Sequence, residues 1–143
     1  MAGINEMISK LESVNFTTEV MSAVEETKDQ YKELQKKQML KGEAKYGRIG
    51  KYRSKSYAAR KAMINPLPGF GNADLKLTGS FQEKILVEVQ AKSVVIKSTD
   101  SKAASLIKKY GDKIFGLNKE NSIDYSWDVM GPIAIRNIKK KIL

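Results

Sequence analysis

FQEKILVEVQAKSVVIKS, Phe81 to Ser98, is the stretch that decides the fold class of this chain. Phe81, Ile85, Val87 and Val89 follow a two-residue period broken only by Glu83, and Val94-Val95-Ile96-Lys97-Ser98 is a second run rich in β-branched residues. A period of two sends successive side chains to opposite faces, so both runs are expected as strands. QAKS, residues 90–93, has the length of a hairpin turn between them. A small antiparallel sheet therefore sits in the second half of the chain.

Upstream the period changes. Ile4, Met7, Ile8, Leu11 and Val14 recur at three- and four-residue steps, which predicts an amphipathic helix over 4–13. Asn15, Thr17 or Thr18 offers a cap for a second, long helix over roughly 18–40, whose stripe runs through Val20, Val24, Thr27, Tyr31, Leu34 and Gln38. The stripe thins where Gln38 stands in place of an apolar residue, so that helix is expected to pack by its first half and project into solvent, or onto another subunit, by its second. Gly42 is expected to stop it. Residues 54–63 allow a short helix capped by Ser54, and NPLPGFGNAD, 65–74, reads as a loop.

Downstream of the hairpin, 101–111 is expected as a short helix closed by Gly111, followed by an apolar IFGL patch at 114–117. Ser122 is the expected cap of a last helix in which Ile123, Trp127, Met130, Ala134 and Ile138 share a face. Gly131-Pro132 is expected to kink or restart that helix, because proline lacks an amide and crowds the preceding turn. Trp127 and the IFGL patch read as core, with interface anchoring as the alternative. The class is α+β: N-terminal helices, a small antiparallel sheet with a hairpin, and a C-terminal amphipathic helix. The parts are an N-terminal helical segment (1–41), a basic Gly/Pro-rich extended arm or loop (42–74) and an α+β core (75–143), one domain overall.

With 143 residues, no cysteine and no histidine, the chain has no disulfide, no thiolate metal site, no cysteine nucleophile and no histidine general base. No cofactor or metal is expected, and no Asp/Glu pair at a helical or strand spacing invites carboxylate catalysis, so the expectation is a protein that is not an enzyme. The glycines of PGFGNAD lack the Lys-Ser pair of a phosphate loop, and no nucleotide site is assigned. No apolar run approaches the ~20 residues of a membrane span, and MAGINEMISKLES lacks signal-peptide order, so a soluble intracellular product is expected.

The formal charge of +10 is unevenly placed. Residues 1–27 hold one Lys against five Glu, residues 28–61 twelve Lys or Arg against three acids, and residues 62–143 thirteen against eight. KYGRIGKYRSKSYAARK, 45–61, is the most basic run. Lys45, Arg48, Lys51, Arg53, Lys55 and Arg60 are its candidate contact residues, with Tyr52 among its three tyrosines. Three readings stand: phosphate contact with base stacking on the tyrosines, a solvated loop, or a segment that orders against an acidic protein face. Absence of a helix-turn-helix, zinc-finger or aromatic RNA-binding strand motif argues against sequence-specific recognition. Phe70, Phe115 and Leu117 complete the candidate interface.

Leu77-Thr78-Gly79 before the hairpin, and Tyr110-Gly111 with Phe115-Gly116-Leu117 before the last helix, resemble two landmarks of the tail-completion, or neck, proteins of tailed bacteriophages. The likeness covers roughly residues 75–140, and the N-terminal helices by order alone. Two departures stand out: Gly-Asp-Lys follows Tyr110 where an acidic-Gly-Thr ending is usual, and the basic 45–61 segment is longer. The resemblance implies a non-enzymatic virion protein that assembles in multiple copies as a ring at the neck and joins tail to filled head. It implies portal, connector or tail proteins as partners, a location in the virion after assembly in the bacterial cytoplasm, and DNA in the channel as a further contact open to the basic segment. The alternative reading is a non-specific nucleic-acid-binding protein that uses the basic 28–61 region.

Overall fold

Three residues, Ser13 to Asn15, separate helix α1 (Ile4–Glu12) from helix α2 (Phe16–Leu40). The Asn15 side chain accepts the Thr18 amide at 3.1 Å and so satisfies one of the free N–H groups at the start of α2. At ~1.5 Å per residue, the 25 residues of α2 make a rod of about 38 Å, the longest element of this computed structural model. The structure describes residues 3–52, 55–64, 71, 73 and 80–143. Arg53, Ser54, Phe70 and the Leu77-Thr78-Gly79 turn lie outside the described residues.

The remaining elements are α3 (Lys55–Ile64), α4 (Ser80–Glu83), β1 (Ile85–Val89), β2 (Val94–Ser98), α5 (Ala103–Tyr110), a 3₁₀ turn (Asp112–Ile114), α6 (Lys119–Asp124), a π-helical turn (Tyr125–Met130) and α7 (Gly131–Ile142). The chain is a mixed α+β protein: N-terminal helices, a two-stranded antiparallel hairpin and a long C-terminal helix lying on α2.

β1 and β2 pair in register from Ile85 opposite Ser98 to Val89 opposite Val94, and the Gln90 amide donates to the Ser93 carbonyl at 2.9 Å across the turn. Ile85, Val87, Val89 and Ile96 turn away from solvent, whereas Leu86, Glu88, Val95 and Lys97 face it, with a Glu88–Lys97 ion pair at 2.7 Å. The first strand is shorter than the alternation predicts. Ser80–Glu83 is a helical turn, and Phe81 and Ile85 share the core because four residues are one turn of helix as well as two steps of a strand.

Two apolar clusters form the core. One joins Met39, Ala44, Ile49, Ala73, Phe81, Ile85 and Ile114; the other joins Val24, Leu117 and Tyr125, with Tyr31, Leu34, Val89 and Val94 packed against them. Ala44 and Ile49 come from the basic segment expected as an arm. Its first part is a hook closed by the Ala44 amide on the Gly47 carbonyl at 2.7 Å and the Ile49 amide on the Gly42 carbonyl at 2.9 Å. Ala73 ties the far end to the same cluster, its amide donating to Gly50 at 2.8 Å. Small and branched apolar side chains between the charges thus anchor the segment while Lys45, Arg48 and Lys51 stay exposed, and Lys61 on α3 is buried.

The last helix also differs from expectation. It starts at Lys119, where the Asn118 side chain accepts the Asn121 amide at 2.9 Å, and Ser122 lies inside it. α-Helical bonding restarts at Gly131-Pro132, as expected, with the proline in the first turn of α7. A π turn precedes the proline, with the Gly131 amide reaching back five residues to the Ser126 carbonyl. The wider turn absorbs the register change made where Pro132 has no amide to give.

Candidate functional site

The second half of α2 does not project into solvent. Gln35 and Gln38 are fully buried, and together they hold the 114–118 segment by its backbone. Gln35 donates to the Ile114 carbonyl at 3.3 Å and accepts the Gly116 amide at 2.8 Å. Gln38 donates to the Gly116 carbonyl at 2.9 Å and accepts the Asn118 amide at 2.7 Å and the Asn121 side-chain amide at 3.1 Å. Two side chains on one helix face therefore bond a loop as the edge of a strand would. This answers why Gln38 interrupts the apolar stripe: a carboxamide offers a donor and an acceptor, and a leucine offers neither. Gly116 sits in the clamp at φ +105°, a backbone region that side-chain-bearing residues rarely enter.

The clamp forms one wall of a cleft of 640 Å³ at the C-terminal end of α2. Leu34 and Leu40 supply its apolar part; Lys37, Lys41 and Arg48 supply positive charge, and Glu43 is the one lining carboxylate, held by the Asn118 side-chain amide at 3.0 Å. Neighbouring lysines on α2 are already used inside the fold. Lys32 donates to the Glu83 carbonyl at 2.7 Å, and Lys36 meets the Glu83 carboxylate at 2.5 Å, a hydrogen bond that raises the Lys36 pKa above its ordinary value. Lys37, Lys41 and Arg48 form no ion pair with any described residue; Arg48 reaches only the Lys41 carbonyl, at 3.4 Å.

Further toward its N-terminus α2 carries the antiparallel α6–π–α7 helix. Thr27 spends its proton on the Ala23 carbonyl at 2.7 Å, so the Tyr125 hydroxyl is the donor in their 2.7 Å bond. Tyr31 meets the Tyr125 ring edge-on at 5.1 Å. Burial raises the pKa of both tyrosines, opposed in Tyr31 by a hydrogen bond from the Leu117 backbone. Arg136 donates to both Glu26 oxygens at 3.1 Å, and Lys141 pairs with the buried Glu19.

The other face of the same helix is bare. Trp127, expected in the core, is 77% exposed, with Ile123, Pro132 and Ile135 exposed along the same side. Hydrophobicity marks residues fit for burial and does not say whether the chain itself supplies the cover. The reading of Trp127 as an interface anchor is the one this position favours. The α1 helix is similar: it buries none of its residues, and Ile4, Ile8 and Leu11 are exposed.

Of the residues singled out from the sequence, Lys45, Arg48, Lys51, Lys55 and Arg60 are exposed, on the hook and on α3. Lys45 stands over the Tyr46 ring at 5.4 Å. Tyr52 is half-buried against the first cluster, edge-on to Tyr57 at 4.9 Å. Phe115 is half-buried beside Phe81, ring centroids 5.9 Å apart, and Leu117 is buried in the second cluster. The last two are therefore occupied within the chain. Sequence reasoning missed Lys37 and Lys41, whose signal was their place on the side of α2 next to the Gln38 position.

Among the described residues no three His, Cys, Asp or Glu side chains are grouped to hold a metal ion. Among them too, no helix is long and apolar enough to cross a membrane. Comparison with protein-family models, curated proteins and solved structures found no match to this chain.

Proposed function

We propose that this chain is a structural subunit that works in multiple copies, as a tail-completion or head–tail joining protein in the neck of a tailed bacteriophage. The observation that supports the multi-copy reading is the apolar surface left uncovered among the described residues. Ile4, Ile8 and Leu11 on α1, and Ile123, Trp127 and Ile135 on the last helix, are exposed to an extent that a neighbouring subunit would relieve. The hairpin adds two five-residue strands, each paired on one side only among the described residues. The assignment to the phage neck rests on the Tyr110-Gly111 and Phe115-Gly116-Leu117 landmarks with the Leu77-Thr78-Gly79 turn.

Peptide mass spectrometry of purified phage particles tests this reading. It expects the chain in several copies per particle, and filled heads without tails when its gene is disrupted. Its absence from particles, or intact infectious particles without it, would sink the assignment.

A further inference from the structure

The basic cleft and the bare N-terminal helix are complementary in charge and in shape. The cleft pairs an apolar part, Leu34 and Leu40, with three cations, Lys37, Lys41 and Arg48, that form no ion pair with a described residue, against one lining carboxylate, Glu43. Helix α1 pairs an exposed apolar strip, 74% exposure at Ile4, 46% at Ile8 and 42% at Leu11, with an acidic flank. On a helical projection Glu12 lies next to Ile8, and it forms no ion pair with a described residue, whereas Glu6 is already met by Lys10 at 3.5 Å. α7 lies along α1, and Met7 and Val14 are half-buried, so the strip left over is the part that no described residue covers.

A chain cannot bring these two surfaces together within itself. From Phe16 to Leu34 the axis of α2 runs about 27 Å at ~1.5 Å per residue, while α1 is only about 14 Å long and is tethered by a three-residue turn. The occupant must come from another molecule, and the acidic 1–27 region facing the basic 28–61 region makes a second copy the complementary one.

We propose that the cleft at the C-terminal end of α2 receives helix α1 of a second copy, Ile8 and Leu11 entering beside Leu34 and Leu40 while Glu12 faces Lys37, Lys41 and Arg48. The contact is head-to-tail: each copy offers α1 at one end of α2 and a cleft at the other, so the series propagates until its rotation closes a ring. This inference rests on the multi-copy reading above and specifies the surface through which it acts.

The test uses the full chain. Glu12→Lys and Lys41→Glu, both at exposed positions, are each expected to weaken self-association by about tenfold or more in sedimentation, and the two combined to recover most of it. Raising salt from about 50 to about 500 mM weakens the wild type in the same direction. Because the chain has no cysteine, Ile8→Cys with Leu40→Cys gives a clean second measurement: oxidation should yield a ladder of covalent multimers. Multimers that ignore both charge reversals and give no ladder overturn this interface and leave the multi-copy reading standing. A chain that stays monomeric at every concentration, and is absent from particles, overturns both. Binding of a labelled oligonucleotide that Lys41→Glu abolishes, with self-association indifferent to the same change, assigns the cleft to nucleic acid and overturns the proposal.

Discussion

Replacing Gln38 by leucine isolates what the glutamine clamp contributes to stability. Leucine is close in volume and better suited to burial, so a purely packing view expects no loss. The hydrogen-bond view expects a large one. Gln38→Leu removes the donor to the Gly116 carbonyl and the acceptor for the Asn118 amide and the Asn121 side chain. Two backbone groups are left unpaired beside a fully buried position, at about 1–3 kcal/mol each, with the low end favoured because the loop itself is half-exposed. Apolar burial of the new leucine returns part of this, for a net loss of about 1–2 kcal/mol. With an m-value of about 2 kcal/mol/M in urea, the unfolding midpoint falls by about 0.5–1 M. Circular dichroism against urea reads it, with Gln30→Leu, an exposed site on the same helix, as a control expected within about 0.5 kcal/mol. Gln38→Glu adds a second reading: it keeps an acceptor but buries an acid, so its deficit should shrink as pH falls and the carboxyl takes up its proton. A midpoint shift for Gln38→Leu no larger than that of the control would refute the clamp.

Three further outcomes are expected. Gly131→Ala, ordinarily stabilising by up to ~1 kcal/mol in a helix, should destabilise by about 1–3 kcal/mol, because its Cβ meets the Ser126 carbonyl oxygen at 2.6 Å; thermal melts decide the sign. Asp100 has its pKa lowered chiefly by the Lys102 amide, then by the Ser80 hydroxyl at 2.7 Å and the Lys84 charge. A carboxylate with a depressed folded pKa stabilises above its unfolded pKa of ~3.9, and that stability is lost as pH falls through the folded value. Asp100→Asn should therefore lower stability at neutral pH and flatten the acid limb, followed by melting between about pH 2 and 6. Trp127→Ala should cost less than about 0.5 kcal/mol, against ~3–5 kcal/mol for a buried tryptophan, and the sole tryptophan should be open to acrylamide quenching in the isolated chain.

Periodicity carried the elements. The hairpin, α1, α2 and the Tyr110-Gly111 helix end all follow from side-chain spacing and cap chemistry, which act locally. The misreadings share another cause. Phe81 fitted a strand because a helical turn and two strand steps both span four residues. Gln38 looked like the edge of a stripe because its partners, Gly116 and Asn118, are nearly eighty residues away, and no local pattern names them. Trp127 looked like core because its neighbours along the helix are apolar, but which face of a two-sided helix meets α2 is settled by Tyr125 and its bond to Thr27. Of the candidate interface, the hook's cations are exposed as charge leads one to expect, while Leu117 is taken by packing that only tertiary structure reveals.

The glutamine clamp also sets an order in time. During synthesis α2 leaves the ribosome long before the segment that Gln35 and Gln38 hold, since the bonded partners lie 78 to 83 residues downstream. Until then the helix presents two carboxamides among its apolar residues and has nothing to close over them. Such long-range closure delays completion of the core until the last quarter of the chain has emerged. The apolar side chains of α2 are thus displayed by a nascent chain whose own interior is unfinished.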